Sequence, residues 1–228
     1  MFQISDSWKN IFPQAHAGIL VMRDVINPPH HAQLEKRKKL LEEQIRARFA
    51  RQRRPEIEQH PVLQAYGDYY ARFKKTYHVQ LQLESIVLKG KSIPSVAALV
   101  EAMFMAEMDN LLLTAGHDLD MLQLPVTLGV ATGTEKYTTL HGQEQPLKAG
   151  DMFMADGEGI ISSILYGPDQ HTPIKAQTKN VIFTVYAPAG IEPATVEQHL
   201  QNIQQNVLIF APRAQTEHLK VFGAADFR

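Results

Sequence analysis

The chain has no cysteine, which removes disulfide scaffolding, a thiol nucleophile and thiolate metal sites together. It has almost no net charge, −1 over 228 residues, so its overall field exerts no strong pull on a polyanion. No stretch approaches the ~20 apolar residues needed to span a bilayer. The opening MFQISDSWKNIF lacks the basic start and the apolar run of a secretory signal. Ten histidines are present, yet no HxxxH or HExxH pair occurs, and His30-His31 sits among prolines; no metal or other cofactor is expected. There is no GxSxG elbow and no glycine-rich phosphate loop before a helix, and Ser162-Ser163 falls inside a strand candidate. Hydrolysis by this chain would therefore rely on a positioned water and electrostatic help rather than on a covalent nucleophile. These absences describe a soluble, cytoplasmic protein with no membrane partner.

What is present is ample core material, with 44% hydrophobic residues. The run Ala15 to Val25 predicts a strand buried on both faces. Leu34, Leu41, Ile45 and Phe49 predict a helix that opens after Pro28-Pro29 and ends by Pro55. A second helix is expected over about Val62 to Thr76, its stripe of Tyr66, Tyr69, Tyr70 and Phe73 reading as core, with base stacking as the lesser option. Ser92-Ile93-Pro94-Ser95 is expected to open a third helix that runs to about Asp109. That helix is apolar nearly all round, so it belongs at the centre of the core. Its exceptions, Glu101 and Glu107, would be buried carboxylates that need a partner or an altered pKa. From Pro125 onward, turn signals separate strand candidates at Val126–Val130, Lys136–Leu140, Met152–Ala155, Gly159–Leu165 and Asn180–Tyr186. A last helix is expected from Pro193 to about Asn206. Together these predict an α+β fold in a single domain, with a mixed, largely antiparallel β core, a buried central helix and an N-terminal helical layer. Residues 1–61 would form that layer, a strand and a basic helix packed on a main body of residues 62–228.

Two polar loops and one basic helix hold the chemistry. Residues 113–122 read LTAGHDLDML, placing His117, Asp118 and Asp120 at the seam between a buried helix and a buried strand. Polar groups at such a seam must find partners or water. They serve either as a substrate site or as caps of a tight turn. The second loop runs Gly167-Pro168-Asp169-Gln170-His171-Thr172. Between His31 and Arg54, nine basic residues face three acidic ones, so this segment is +6 and the rest of the chain −7. Lys36, Lys39, Arg46 and Arg53 share the face opposite the apolar stripe. They read either as a phosphate-tracking surface or as a solvated helix face.

The order of features from about Tyr66 to Pro188 resembles the B3/B4 domain of the β subunit of bacterial phenylalanyl-tRNA synthetase, and more so the freestanding proteins that carry this domain alone. The matching stretches are Leu88 to Ser95, Leu99-Val100-Glu101, Gly116 to Asp120, Val126 to Ala131, Gly150-Asp151-Met152, Ala155-Asp156 and Asp169 to Val181. Their order, rather than any one of them, carries the resemblance. The synthetase's aminoacylation modules are absent, so a complete ligase is not implied. The resemblance implies an editing module that binds the 3′ end of a mischarged tRNA and hydrolyses its aminoacyl ester, with tRNA and an aminoacyl-tRNA synthetase as partners. A non-catalytic RNA-binding module and a small-molecule binder or hydrolase are the alternatives. On this reading His117, Asp118 and Asp120 are the catalytic candidates, and Glu101, Phe104, Gly116, Asp169, Gln170 and Thr172 contact substrate. Lys36, Lys39, Arg46 and Arg53 contact RNA. The pattern departs from the synthetase at Ala115, where the relative has a histidine. It departs at Gly167-Pro168, where the relative has a Gly-Gly pair before its tyrosine-reading glutamate. It departs again at Met103-Phe104-Met105, where family members carry a polar asparagine. A pocket walled by Met103, Phe104 and Met108 would favour an aliphatic or aromatic amino acid.

Overall fold

The computed structural model describes residues 2–227. The chain opens with β1 (Phe2–Ile4), α1 (Asp6–Ile11) and β2 (His16–Arg23). Next come the basic helix α2 (Ala32–Phe49), the short α3 (Arg54–Glu58), α4 (Pro61–Ala71), α5 (His78–Val87) and α6 (Ala98–Asn110). The strand-rich part holds β3 (Thr114–Asp118), β4 (Val126–Val130), β5 (Lys136–Thr138), β6 (Glu144–Pro146), β7 (Met152–Ala155), β8 (Ile160–Ser163), β9 (Gly167–Pro168) and β10 (Val181–Ala187). Helix α7 (Pro193–Phe210) and strand β11 (Gln215–Gly223) close it.

The strands form a four-stranded sheet ordered β11-β2-β10-β3, a five-stranded sheet ordered β1-β4-β7-β8-β9, and the β5-β6 ribbon. All pairs are antiparallel except β1 with β4. This is the expected α+β architecture with a mixed, largely antiparallel core. The main hydrophobic core spans Ile4 to Ala211, and a small second cluster gathers Ala131, Tyr137 and Leu147. Residues 2–61 are woven into the main core: β2 lies between β11 and β10, and β1 pairs with β4. The apolar run of β2 is buried on both faces, as its sequence required. Gly18 lets α7 lie flat on it, since a Cβ there would stand 2.7 Å from Val196 Cγ1.

The tyrosine stripe of α4 is core, and its hydroxyls join the two sheets. Tyr66 donates to the Tyr186 carbonyl on β10. Tyr69 donates to Asp151 Oδ1 at 2.9 Å and accepts from Met152 N at 2.7 Å on β7. Tyr70 donates to the Ile164 carbonyl. These rings are buried, so they offer no stacking platform to a base.

Several element boundaries differ from expectation. The third helix starts at Ala98, not near Ser92. The Ser95 hydroxyl accepts from Lys38 Nζ at 2.8 Å instead of capping the helix, and Ile93 N donates to Glu42 Oε1 at 2.8 Å. Residues 92–97 are thus held extended against α2. Residues 78–87, to which the sequence pattern assigned no element, form α5, with Val79, Leu83 and Ile86 buried. α4 ends at Ala71. Residues 207–210 continue α7, and the edge position belongs to β11. Of the stretch Gly116–Asp120, read as a turn, residues 116–118 belong to the edge strand β3 and only Leu119–Met121 make a single 3-10 turn.

Candidate functional site

A cavity of about 320 Å³ opens between the two sheets and α6. Val100, Met103, Phe104 and Glu107 line it from one face of α6, and His78 and Gln82 from α5. Thr114, Ala115 and Gly116 of β3 form a wall, with Leu113, Ile174, Ser163, Pro168 and Tyr186 completing the enclosure. Most of this lining is apolar, which suits a pocket that excludes water.

Gly116 contributes more than space. β3 pairs with β10 along one edge only. In an antiparallel ladder, alternate residues direct both N–H and C=O away from the partner. Thr114 N donates instead to Glu107 Oε1 at 2.8 Å, and Asp118 N to the Thr172 carbonyl at 2.9 Å. Gly116 lies midway between them with the same parity, so its N–H and C=O face the free edge at the cavity wall. A Cβ at Gly116 would stand 2.8 Å from Ile174 Cδ1, so a side chain there would displace the end of Ile174 in the cavity wall.

Among the described residues, Glu107 is the carboxyl that lines the cavity. It is fully buried, and burial raises its carboxyl from 4.5 to about 8, against the smaller opposing effect of the Thr114 N–H. It is therefore mostly protonated at neutral pH. No lysine or arginine lines the cavity. Thr114 also hydrogen-bonds His199 Nε2 through its hydroxyl at 2.6 Å. Burial holds His199 neutral, pulled down to about 3. His78 is likewise neutral, lowered to about 4 by burial and by Lys75. Its Nδ1 meets the Tyr70 hydroxyl at 3.3 Å. That hydroxyl spends its hydrogen on Ile164, so Nδ1 donates and Nε2 is left as an acceptor.

The residues singled out from sequence fall into several places. The two polar loops do meet. Thr172 donates its hydroxyl to Asp169 Oδ1 at 2.6 Å and bonds His117 Nδ1 at 2.7 Å. With that hydrogen committed, His117 Nδ1 must be the donor, and its Nε2, which has no partner, is the bare nitrogen. Burial lowers the His117 pKa to about 4 and raises that of Asp169. His117, on β3 itself, is fully buried and does not line the cavity. Asp118 accepts from the Thr178 hydroxyl at 2.6 Å and from Asp120 N at 3.1 Å. Both carboxylate oxygens of exposed Asp120 accept from Asn180 Nδ2, at 2.8 and 2.9 Å. Asp118 thus does the capping work that the local sequence also allowed, while the Asp120 carboxylate bonds the Asn180 side chain instead.

Phe104 and Gly116 line the cavity. Asp169 and Gln170 line a separate polar groove of about 240 Å³ with Lys136, Asp156, Glu158 and His171. Glu101 is elsewhere: it ion-pairs with buried Lys38 at 3.2 Å, and Lys38 also bonds Glu35. Glu101 therefore anchors α2 to the start of α6 and does not reach the cavity. Glu107, one of the two helix carboxylates flagged by burial, is the one that does. Their positions in the wheel explain the difficulty. Glu101 and Glu107 sit three residues either side of Phe104, each ~60° from it, so periodicity alone could not separate them. The other residues missed from sequence, His78 and Gln82, lie on α5, which periodicity left unassigned.

Lys36, Lys39 and Arg53 are exposed. Arg46 donates to Glu42 at 3.3 Å and to the Lys91 carbonyl at 3.1 Å. Arg48 and Arg54 pair with Asp109, and with Glu58 and Glu84. α2 packs on the side of α6 that carries Glu101 and Asp109, away from the cavity face. A second groove of about 370 Å³ shares His78, Gln82 and Phe104 with the cavity and extends to Lys91, where Arg46 binds. Among the described residues, no group of three His, Asp or Glu side chains is placed to hold a metal ion, and no helix is long and apolar enough to cross a membrane.

The B3/4 domain family matches residues 63–207, more than half of the chain. The phenylalanine--tRNA ligase beta subunit of Fusobacterium nucleatum subsp. nucleatum is 34% identical over 82 residues, 35% of this chain and 10% of that protein. The chain thus spans about a tenth of that curated relative in the region it matches. An N-terminal fragment of the phenylalanyl-tRNA synthetase beta-subunit from Pyrococcus horikoshii aligns with a TM-score of 0.48 and 13% identity, covering 97% of this chain and 50% of that one.

Proposed function

The chain belongs to the B3/4 domain family, and from that premise we propose that it hydrolyses the ester of mischarged aminoacyl-tRNA in trans, in the cytoplasm, with the aminoacyl group held in the cavity between α6 and β3. One observation carries the reading: Gly116 brings an open backbone N–H to the wall of a mostly apolar pocket. A donor fixed by a sheet edge needs no reorganisation to meet charge developing on an ester oxygen. Met103, Phe104 and Ile174 would pack an aliphatic or aromatic side chain, in keeping with an apolar wall. An aminoacyl ester is already activated, so a positioned water suffices and no covalent nucleophile is required.

In this reading His117, Asp118 and Asp120 are positioning residues. The His117-Thr172-Asp169 chain and the Asp118 cap lock the end of β3 and so set the register that presents Gly116. The groove from Phe104 to Lys91 would take the 3′ nucleotides, with Lys36, Lys39, Arg46 and Arg53 meeting phosphates farther along. The burial of His117 favours a second reading, in which the same pocket holds the RNA end without turnover.

The two part on a single assay. A panel of mischarged tRNAs is incubated with the protein, and release of each amino acid is compared with spontaneous loss. Release above background for at least one tRNA, slowed by Gly116→Val, is expected. Binding that weakens steeply with salt but gives no release above background would establish the binding module instead.

A further inference from the structure

The cavity is rich in acceptors and poor in cations. Glu107 spends one carboxylate oxygen on Thr114 N, and its second oxygen makes no hydrogen bond within the described residues. His78 presents a bare Nε2, for the reason given above. The Gln82 side chain has no hydrogen-bond partner within the described residues, and its amide oxygen adds a third acceptor. The Gly116 C=O faces the same space from the free edge of β3. No lysine or arginine lines the pocket. A buried carboxyl with no cation of its own is rare, because ionised carboxylates are buried only when paired. The group complementary to several convergent acceptors and one unpaired carboxyl is an alkylammonium, which has three donors and no acceptor.

We propose that Glu107 is the counter-charge for a primary ammonium on the ligand, making the cavity a site for compact amines with an apolar side chain. On the function proposed above, which this inference deepens, the ammonium is the free α-amino group of the aminoacyl ester. The pocket then accepts aminoacyl groups and rejects N-acylated ones such as peptidyl esters. The proton balance is explicit. The free site holds a neutral Glu107 carboxyl at neutral pH. On binding a charged amine, the O–H proton leaves to solvent and a carboxylate–ammonium pair remains. Burial raises the Glu107 carboxyl to about 8, which keeps the proton in place until a cation arrives. The other titratable groups packed around Glu107 are Tyr66 and Tyr70 from α4, Tyr77 and His78 from α5, Tyr186 from β10, and His199 beyond Thr114. All are held neutral near pH 7: burial raises the tyrosines and lowers the histidines. None competes for the proton that Glu107 gives up.

The test needs no RNA. Binding of 2-phenylethylamine is compared with that of 2-phenylethanol, a near-isosteric neutral, by calorimetry at about pH 7 in two buffers of different ionisation enthalpy. The amine is expected to bind about ten- to a hundredfold more tightly, as a charge-assisted contact in a buried site allows. It should also release roughly one proton. Glu107→Gln keeps an acceptor for Thr114 N, and should bring the amine down to the affinity of the alcohol. The inference is overturned if the amine shows no preference over the alcohol, if it binds without releasing a proton, or if the preference survives in Glu107→Gln. The proton count uses the unsubstituted protein, so it decides even if the variant folds poorly. A protein that passes this test and releases no amino acid from tRNA would keep the amine site and lose the hydrolase reading; the reverse result would do the opposite.

Discussion

Glu107→Gln should convert a pH-dependent weakness of the fold into a pH-independent one. Burial raises the folded-state carboxyl from 4.5 to about 8. Between those limits the folded protein holds a proton that the unfolded chain has lost. Stability from this group therefore falls as pH rises through that window. At ~1.4 kcal/mol per pH unit, the full window amounts to ~5 kcal/mol, a large share of the 5–15 kcal/mol typical of a domain's total stability (about that range). Glutamine is nearly isosteric, stays neutral, and keeps its carbonyl oxygen as the acceptor for Thr114 N. Near the lower limit the two proteins should match within ~1 kcal/mol. Above it, the variant should gain ~1.4 kcal/mol on the parent per pH unit, levelling off past about 8. Urea denaturation of both proteins across this range measures the difference directly, with the midpoint read at constant m. Other titrating groups cancel in the difference, because they are common to both. Asp151, raised by burial to about 7, also costs stability as pH rises. His78, His117 and His199, lowered to about 4, 4 and 3 by burial, cost stability as pH falls below their ordinary 6.5. A difference curve that is flat from pH 5 to about 8 would refute the assignment of a protonated Glu107, and with it the pocket chemistry built on that proton.

Two structural expectations accompany it. Lys38→Met leaves Glu101 buried without its counter-ion and should lower stability by ~3–5 kcal/mol; thermal denaturation should show Glu101→Gln in the same chain recovering part of that loss. Thr172→Val leaves the buried His117 Nδ1–H without an acceptor, while Asp169 keeps the backbone N–H groups of His171 and Thr172; the loss should cost ~1–3 kcal/mol. Hydrogen exchange along residues 114–118 should rise if this chain holds β3 in place, whereas unchanged protection there would show that the chain does not position the strand.

The elements with strong periodicity were legible before any coordinates. The two-faced apolar run of β2, the aromatic stripe of α4 and the all-round apolar α6 each had to be buried, because nothing else would remove that much apolar surface from water. The order of family-like stretches also carried the fold, since it runs through most of the strand-rich half. Residues 81–88 were harder: α5 is short, and its apolar positions interleave with polar ones in a way that fits either period. The strand Thr114–Asp118 was hidden because Ala, Gly and Asp disfavour strands on their own, and only pairing with β10 overrides that preference.

The site was legible in part. Phe104 and Gly116 were named from the sequence, and both line the cavity. What sequence determined was a set of polar side chains too close to the core to be left unpartnered, and a chain with no cysteine, no metal motif and no nucleophile elbow. What the tertiary structure decided was direction. Buried Lys38 turns Glu101 into an ion pair, while Glu107 on the neighbouring face meets no cation. Thr172 and Thr178 draw His117 and Asp118 inward to hold a strand end. The edge position of β3 leaves the Gly116 backbone open. Each of these depends on which element packs against which face, and that is set by contacts between residues far apart in the chain, which local pattern does not encode.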